Sequence, residues 1–270
     1  MKYETIGILQ IPKLGFGTWS IGGGMSADRS RDASSLAALR SALELGYTHF
    51  DTAESYADGH TEELIGSAFR ETNTRRERVF ITSKVKPEHL AFNDVQIACE
   101  NSLRRLNTDY LDLYLIHWPR SGMNLEETFR ALNLLVRQGK IHHLGVSNFN
   151  LKLLMQAQSL AATPILTDQV PYNLSDRSYV RNGVLEYCQQ NDILLTAYSP
   201  LGQGSFKADK TLQAIAAAQH ASPQQIALAW LVSQPGVITI PMSADPKHQA
   251  ENIQAADITL TDGEMNQLSN

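Results

Sequence analysis

Four residues in the first half of the chain have side chains whose chemistry is complementary: the carboxylate Asp51, the phenol Tyr56, the ammonium Lys84 and the imidazole His117. A free phenol has a pKa of about 10 and is a poor acid at neutral pH. An ammonium within ~4–6 Å stabilises phenolate and lowers that value, and a carboxylate beside the ammonium keeps it charged and in place. Imidazole can position a polar substrate atom. A phenol assisted in this way can protonate an oxygen that is gaining negative charge, which is what carbonyl reduction requires. Singly, each residue has a plainer explanation. Asp51 could be a satisfied strand-end carboxylate, Lys84 a solvated strand-end lysine, Tyr56 a loop aromatic packing its ring, and His117 a hydrogen-bonded core histidine beside Trp118. The chemistry exists only if the fold brings all four to one place.

Their spacing suggests that it does. Thr18, Asp51, Lys84 and His117 each end a short strand-like run, at intervals of 33 residues. Ser147 follows His117 after 30 residues, and Ser199 lies 30 after Gln169. A repeat of about 30 residues is the length of one βα unit. The runs are 14–18, 48–51, 79–84, 111–117, 141–147, 165–169, 194–199 and 237–241. Amphipathic segments separate them. Asp32 is placed to cap a helix carrying Leu36, Leu39 and Leu43 and closed by Gly46. Asn93 opens a second, with Val95, Ile97, Leu103 and Leu106; residues 126–138 form a third, ending at Gly139. Asn150 caps 151–160, and 181–191 precedes the seventh strand. Ser222-Pro223-Gln224-Gln225 reads as an N-cap, a first-turn proline and a capping-box glutamine before 226–233.

Eight strands, each followed by a helix, require parallel pairing with right-handed crossovers. Length alone allows two domains, but no linker or composition shift divides the chain, so a single (β/α)8 TIM barrel over residues 1–270 is expected. Residues 3–10, with Gly7 at a turn, are expected to form a β-hairpin closing the barrel bottom. The C-terminal strand ends of such a barrel form its functional mouth. Asp51, Lys84 and His117 would then stand on three neighbouring strands, with Tyr56 folding back over them.

The composition agrees with an ordinary globular protein, with 43% hydrophobic and 19% charged residues. A net charge of −5 argues against a nucleic-acid partner. The longest apolar run, 226–232, is far short of the ~20 residues that span a bilayer. The start Met1-Lys2-Tyr3-Glu4-Thr5 lacks the apolar core of a signal peptide. Cys99 and Cys188 are the only cysteines, with no CxxC and no Cys/His cluster. These features lead to the expectation of a reduced, cytoplasmic protein with no metal, no membrane partner and no obligate protein partner, a monomer.

Several motifs, in order along nearly the whole chain, resemble the aldo-keto reductase superfamily. They are Gly15-Phe16-Gly17-Thr18-Trp19, Phe50-Asp51-Thr52-Ala53-Glu54-Ser55-Tyr56, Lys84, Ile116-His117-Trp118-Pro119, Gly145-Val146-Ser147-Asn148-Phe149, Gln169, Tyr198-Ser199-Pro200-Leu201-Gly202 and Ala250-Glu251-Asn252. The resemblance implies that Tyr56 is the proton donor, that Lys84 and Asp51 tune it, and that His117 orients the carbonyl. It further implies hydride transfer from C4 of a nicotinamide cofactor bound across the mouth. Ser147, Asn148 and Gln169 match the positions that hold the carboxamide, and Tyr198 the ring stacked under the nicotinamide. Ser199, Pro200, Leu201 and Gly202 match the pyrophosphate loop, where backbone N–H groups meet anionic oxygens. Gly17, Thr18, Trp19 and Asp51 match neighbours of the nicotinamide ribose, and Ile240, Pro241, Met242, Ser243, Lys247, His248, Glu251 and Asn252 the adenosine side. There is no G-x-G-x-x-G, because the sixth position after Gly15 and Gly17 is Ser20; Gly22-Gly23-Gly24 is expected to be a mobile βα loop, and a Rossmann domain is not supported.

Two departures from the family pattern matter. Members that prefer the phosphorylated cofactor carry Lys-Ser after the eighth strand and Arg five residues past the Ser; here Met242 replaces the Lys and His248 the Arg, with Lys247 one position early. NADPH is the expected cofactor, with NADH possible because two cationic contacts are missing or displaced. Second, the sequence has no long stretch after 260–265, and the loop 121–125 is short. An open mouth walled by Trp19, Trp118 and the neighbourhood of Phe50 is expected to accept small aldehydes and ketones broadly. Two other functions stay open. One is a nicotinamide-binding regulatory subunit with slow turnover. The other is a phosphate-binding barrel enzyme using 199–204, which would leave Lys84 and Tyr56 unexplained.

Overall fold

The architecture comes from a computed structural model, which describes residues 2–204 and 206–269. Eight parallel strands follow one another in chain order around one sheet: β3 (Phe16–Gly17), β4 (His49–Asp51), β5 (Phe80–Val85), β6 (Leu111–Ile116), β7 (Ile141–Ser147), β8 (Ile165–Pro171), β9 (Leu194–Tyr198) and β10 (Val237–Thr239). A parallel bridge between Leu14 and Thr239 joins its two edges. This is the expected (β/α)8 barrel. The antiparallel hairpin of β1 (Tyr3–Ile6) and β2 (Leu9–Pro12) is also present. Ile6, Leu9 and Ile11 pack on Phe80, Leu113, Leu166, Leu194 and Ile238, the apolar plug at the lower end of the barrel.

Strand alternation determines which residues face inward. His49 and Asp51 point into the barrel, whereas Phe50 between them is fully buried against Phe16 and Phe69 on the helix side. Phe50 itself therefore faces the helices, while its neighbours His49 and Asp51 face the barrel interior. Likewise Thr82 and Lys84 face inward, while Ser83 donates outward to Glu62 of α2 (His60–Glu71) at 2.6 Å. Outside, α1 (Asp32–Glu44), α2, α3 (Phe92–Leu106), α4 (Leu125–Arg137) and α5 (Leu151–Leu160) cover β3 to β8. The helices α6 (Ser178–Arg181), α7 (Val184–Gln190), α8 (Lys210–Ala218), α9 (Pro223–Val232), α10 (Pro246–Gln254) and α11 (Asp262–Ser269) complete the ring.

Helix ends mostly follow their caps. Ser222 and Gln225 form the expected capping box, and Asn150 accepts from the Leu153 N–H. Three boundaries differ from expectation. Asp28 caps a short 3-10 turn that runs into α1, so Asp32 is already inside the helix and accepts from His60 Nε2 at 2.7 Å instead. Ala91 rather than Asn93 precedes α3. The segment 181–191 is broken by left-handed Gly183 into α6 and α7. In the glycine loop, Gly22 N–H donates to Ser35 Oγ at 2.9 Å, and Gly24 C=O accepts from Ala57 N–H at 2.7 Å.

The barrel seam depends on close backbone approach. Gly17 N–H donates to the Pro241 carbonyl at 3.1 Å, and a Cβ on Gly17 would lie 2.5 Å from the Ile240 carbonyl oxygen. Because the obstruction is backbone, it cannot rotate away. Gly17→Ala is expected to lower stability by ~1–3 kcal/mol, the usual cost of overpacking, measurable as a reduced urea midpoint with an unchanged slope.

Candidate active site

The inward ends of β4, β5 and β6 deliver three of the four singled-out side chains. Lys84, completely buried, donates from Nζ to Asp51 Oδ1 at 2.5 Å, to the Thr52 carbonyl at 2.8 Å and to Tyr56 Oη at 3.4 Å. All three ammonium protons are thus in use. His117 stands beside the phenol, the rings edge to face at 5.8 Å, and Trp19 meets the phenol from another side at 5.1 Å. His117 Nδ1 lies 3.3 Å from Ser55 Oγ.

Tyr56 sits on a strained turn. The next two residues, Ala57 and Asp58, are both left-handed (φ 48° and 52°), and Gly59 follows at φ 87°. Such a run costs of order 1–2 kcal/mol at each non-glycine position. It is held down by the Ala57 bond to Gly24 and by buried Glu54, which accepts from Lys86 N–H at 2.8 Å and lies 3.1 Å from His89 Nδ1. The short connection between β4 and α2 thereby turns the phenol back over the barrel axis.

The electrostatics differ in one respect from the sequence expectation. Burial raises the Tyr56 pKa above its ordinary value; Lys84 pulls it down without cancelling that effect. The resting phenol therefore keeps its proton. Burial opposes charge on Lys84 too, but the attraction of Asp51 and Tyr56 outweighs it and the lysine pKa ends up raised. Burial and the nearby Lys84 charge push His117 down to about 3, so its imidazole is neutral at physiological pH.

A second arc of polar groups continues from the opposite wall. Gln169 Nε2 donates to Asp51 Oδ2 at 2.7 Å, and Ser147 Oγ donates to the Gln169 carbonyl at 2.7 Å. Asn148, left-handed at φ 64°, donates to Ser147 Oγ at 2.9 Å and to the His117 carbonyl at 3.1 Å; its Oδ1 accepts from Tyr198 Oη at 2.8 Å. Hydrogen bonds thus run from Tyr198 to Tyr56 through residues of β9, β7, β8, β4 and β5. Beyond Tyr198, left-handed Ser199 leads into a cleft of about 170 Å³ lined by residues that include Asn173, Asp176, Pro200, Leu201 and Gly202. Thr18 Oγ donates to the Asp51 carbonyl at 2.8 Å, next to Gly17.

The aldo/keto reductase family profile matches residues 13–270. The chain belongs to that family. Among solved aldo-keto reductases, the thermostable Tm1743, determined with the inhibitor epalrestat, superposes with a TM-score of 0.96 at 48% identity, over 100% of this chain and 99% of that one. An aldo/keto reductase from Klebsiella pneumoniae, determined with NADP and acetate, superposes at 0.89 with 39% identity, over 99% and 94% of the two chains. Methylglyoxal reductase YeaE of Escherichia coli (strain K12) is 40% identical, over 97% of this chain and 91% of its own.

The remaining reductase-motif positions lie past β10. Met242 packs on the main apolar cluster, and Ser243 Oγ accepts from Asp245 N–H at 3.1 Å. Lys247 is highly exposed, with Nζ 3.8 Å from Glu251, and His248 Nδ1 is 3.7 Å from Asp245, the N-cap of α10. The Lys247 ammonium and the His248 ring therefore each already face a carboxylate. Ile240 and Pro241 line the seam against Gly17, and Asn252 is buried. Trp118 is about half exposed at the mouth. Among the described residues no helix is long and apolar enough to cross a membrane and no cluster suits a metal. Sequence reasoning missed Ser55 and Glu54 as supports for His117 and the Tyr56 turn, and it did not foresee that Gln169 binds Asp51.

His49, one layer below Asp51, is also held neutral, its pKa lowered to about 4 mainly by burial. Unfolding frees both His49 and His117 to titrate near 6.5, so the unfolded chain binds more protons below that pH. Their contribution to stability is complete above about pH 6.5 and is lost as pH falls toward 4 and 3. Urea titrations across this range are expected to show a decline of a few kcal/mol; replacing His49 by Gln should flatten part of it.

Proposed function

We propose that this reductase, as one functional barrel over residues 1–270, uses NAD(P)H to reduce small aldehydes and ketones to alcohols. The observation that carries this reading is a phenol oxygen 3.4 Å from a buried lysine ammonium, with an imidazole ring edge to face beside it. A phenol in that setting can release its proton to an oxygen gaining charge, because the phenolate left behind faces Lys84. Asp51 keeps Lys84 charged, and His117 gives the carbonyl oxygen a second polar contact. Trp19 and Trp118 offer apolar walls to a small substrate.

The donor set suits a nicotinamide group: buried amides and hydroxyls at Ser147, Asn148 and Gln169 for a carboxamide, the half-buried ring of Tyr198 for a flat face, and the cleft at Pro200–Gly202 for a pyrophosphate. When bound, that cofactor supplies hydride to the carbonyl carbon. Gly17, Thr18, Trp19, Asp51, Ser199 and Leu201 would border its inner half, and Ile240, Pro241, Met242, Ser243, Lys247, His248, Glu251 and Asn252 its adenosine end. A regulatory subunit with slow turnover has no need of the convergence at Tyr56. The relatives named for methylglyoxal and NADP support turnover of a small carbonyl with a phosphorylated cofactor.

NADPH is the expected cofactor, with weak discrimination against NADH. A 2′-phosphate loses the Lys and Arg replaced by Met242 and His248, and Lys247 and His248 are shared with Glu251 and Asp245. Fluorescence titration should find a preference for NADPH well under a thousandfold, and the double replacement Met242→Lys, His248→Arg should raise it about tenfold or more.

Cofactor oxidation with a panel of aldehydes, ketones, keto esters and sugars, methylglyoxal among them, tests the activity itself. Tyr56→Phe removes the proton donor and little volume, so kcat should fall by ~10²–10⁴ with cofactor affinity nearly unchanged. Near-normal turnover in that variant would rule out the role given to Tyr56.

A further inference from the structure

Ser55 precedes the short turn that bears Tyr56, the place where a serine side chain ordinarily accepts a backbone N–H of the turn it opens. Here it makes no such bond. Its hydroxyl is 3.3 Å from His117 Nδ1, and among the described residues no other side chain or backbone group bonds either ring nitrogen. The backbone of His117 is fixed from both sides, its N–H on the Val85 carbonyl at 3.0 Å and its carbonyl on Asn148 Nδ2 at 3.1 Å. Among the described residues, Ser55 is thus the one hydrogen-bonding contact to the ring itself.

A neutral imidazole has one protonated and one bare nitrogen, and the partner of one decides the state of the other. A bare imidazole nitrogen is a far better acceptor than a hydroxyl oxygen, so the favourable direction of this contact is Ser55 O–H to Nδ1. We propose that Ser55 is a positioning residue that selects the Nε2–H tautomer of His117 and so makes the imidazole a hydrogen-bond donor toward the substrate oxygen. With the opposite tautomer, Nε2 would present a lone pair to the carbonyl oxygen and repel it. The role rests on the carbonyl-reductase reading above, because only an electron-rich substrate oxygen distinguishes the two states.

The test uses the full-length protein labelled with 15N-histidine, as wild type, Ser55→Ala and Ser55→Thr. His117 is assigned by the signal missing from a His117→Gln variant. Wild type should show a bare Nδ1 and a protonated Nε2 at His117. Ser55→Ala should show a mixture of tautomers and a fall in kcat/KM for methylglyoxal of about two- to tenfold, the worth of one neutral hydrogen bond, with NADPH affinity unchanged. Ser55→Thr, which keeps the hydroxyl, should restore both readouts. A protonated Nδ1 in wild type overturns the proposal, even if Ser55→Ala fails to fold. So does a Ser55→Ala protein with wild-type spectrum and kinetics. A wild type that reduces no carbonyl but has the expected spectrum defeats the reductase reading and leaves the tautomer assignment standing.

Discussion

The arrangement at the mouth depends on one ion pair sealed from water, Lys84 with Asp51. Removing two charges from solvent costs several kcal/mol for each, and a single contact between them does not generally offset it. The barrel answers by leaving no polar atom of the pair idle. Lys84 spends its protons on Asp51, the Thr52 carbonyl and Tyr56, while Asp51 divides its oxygens between Lys84 and Gln169. Such a pair adds little to stability compared with an apolar core. What it provides is a fixed cation against one phenol, in a medium where that charge is weakly screened.

Tyr56 is half-buried above that pair. Burial raises the phenol pKa more than Lys84 lowers it, so the lysine does not create a resting phenolate. A phenolate at that position would face the Lys84 ammonium. Burial and the nearby Lys84 charge likewise keep His117 neutral. Enclosure and charge thus assign different roles to two titratable rings less than 6 Å apart.

Much of this was legible in the sequence because barrel geometry is periodic. The interval of 33 residues between Asp51, Lys84 and His117 is the length of a βα unit, and alternation along a strand is strict enough to turn alternate residues inward together. What escaped was whatever depends on a single backbone angle or a contact across the barrel. Phe50 packs outward between inward-facing His49 and Asp51, because adjacent strand residues face opposite sides. The bond from Gln169 to Asp51 joins residues 118 apart, and no local pattern encodes it. Left-handed Ala57 and Asp58 carry no glycine signal, and the break at Gly183 was hidden in an otherwise helical stretch. Asp32 has the residue type of a cap, yet His60, on a different helix, claimed its carboxylate.

The span of Gln169 has an architectural corollary. Asp51, Tyr56, Lys84 and His117 come from the opening half of the barrel, whereas Ser147, Gln169 and Tyr198 come from the closing half. The amide of Gln169 reaches across the axis to tie the two groups together. Neither half-barrel carries the whole hydrogen-bonded network, so a gene fragment encoding four βα units would inherit only one side of the Asp51–Gln169 contact. In this protein, closing the ring is itself what brings the two sides of that network into contact.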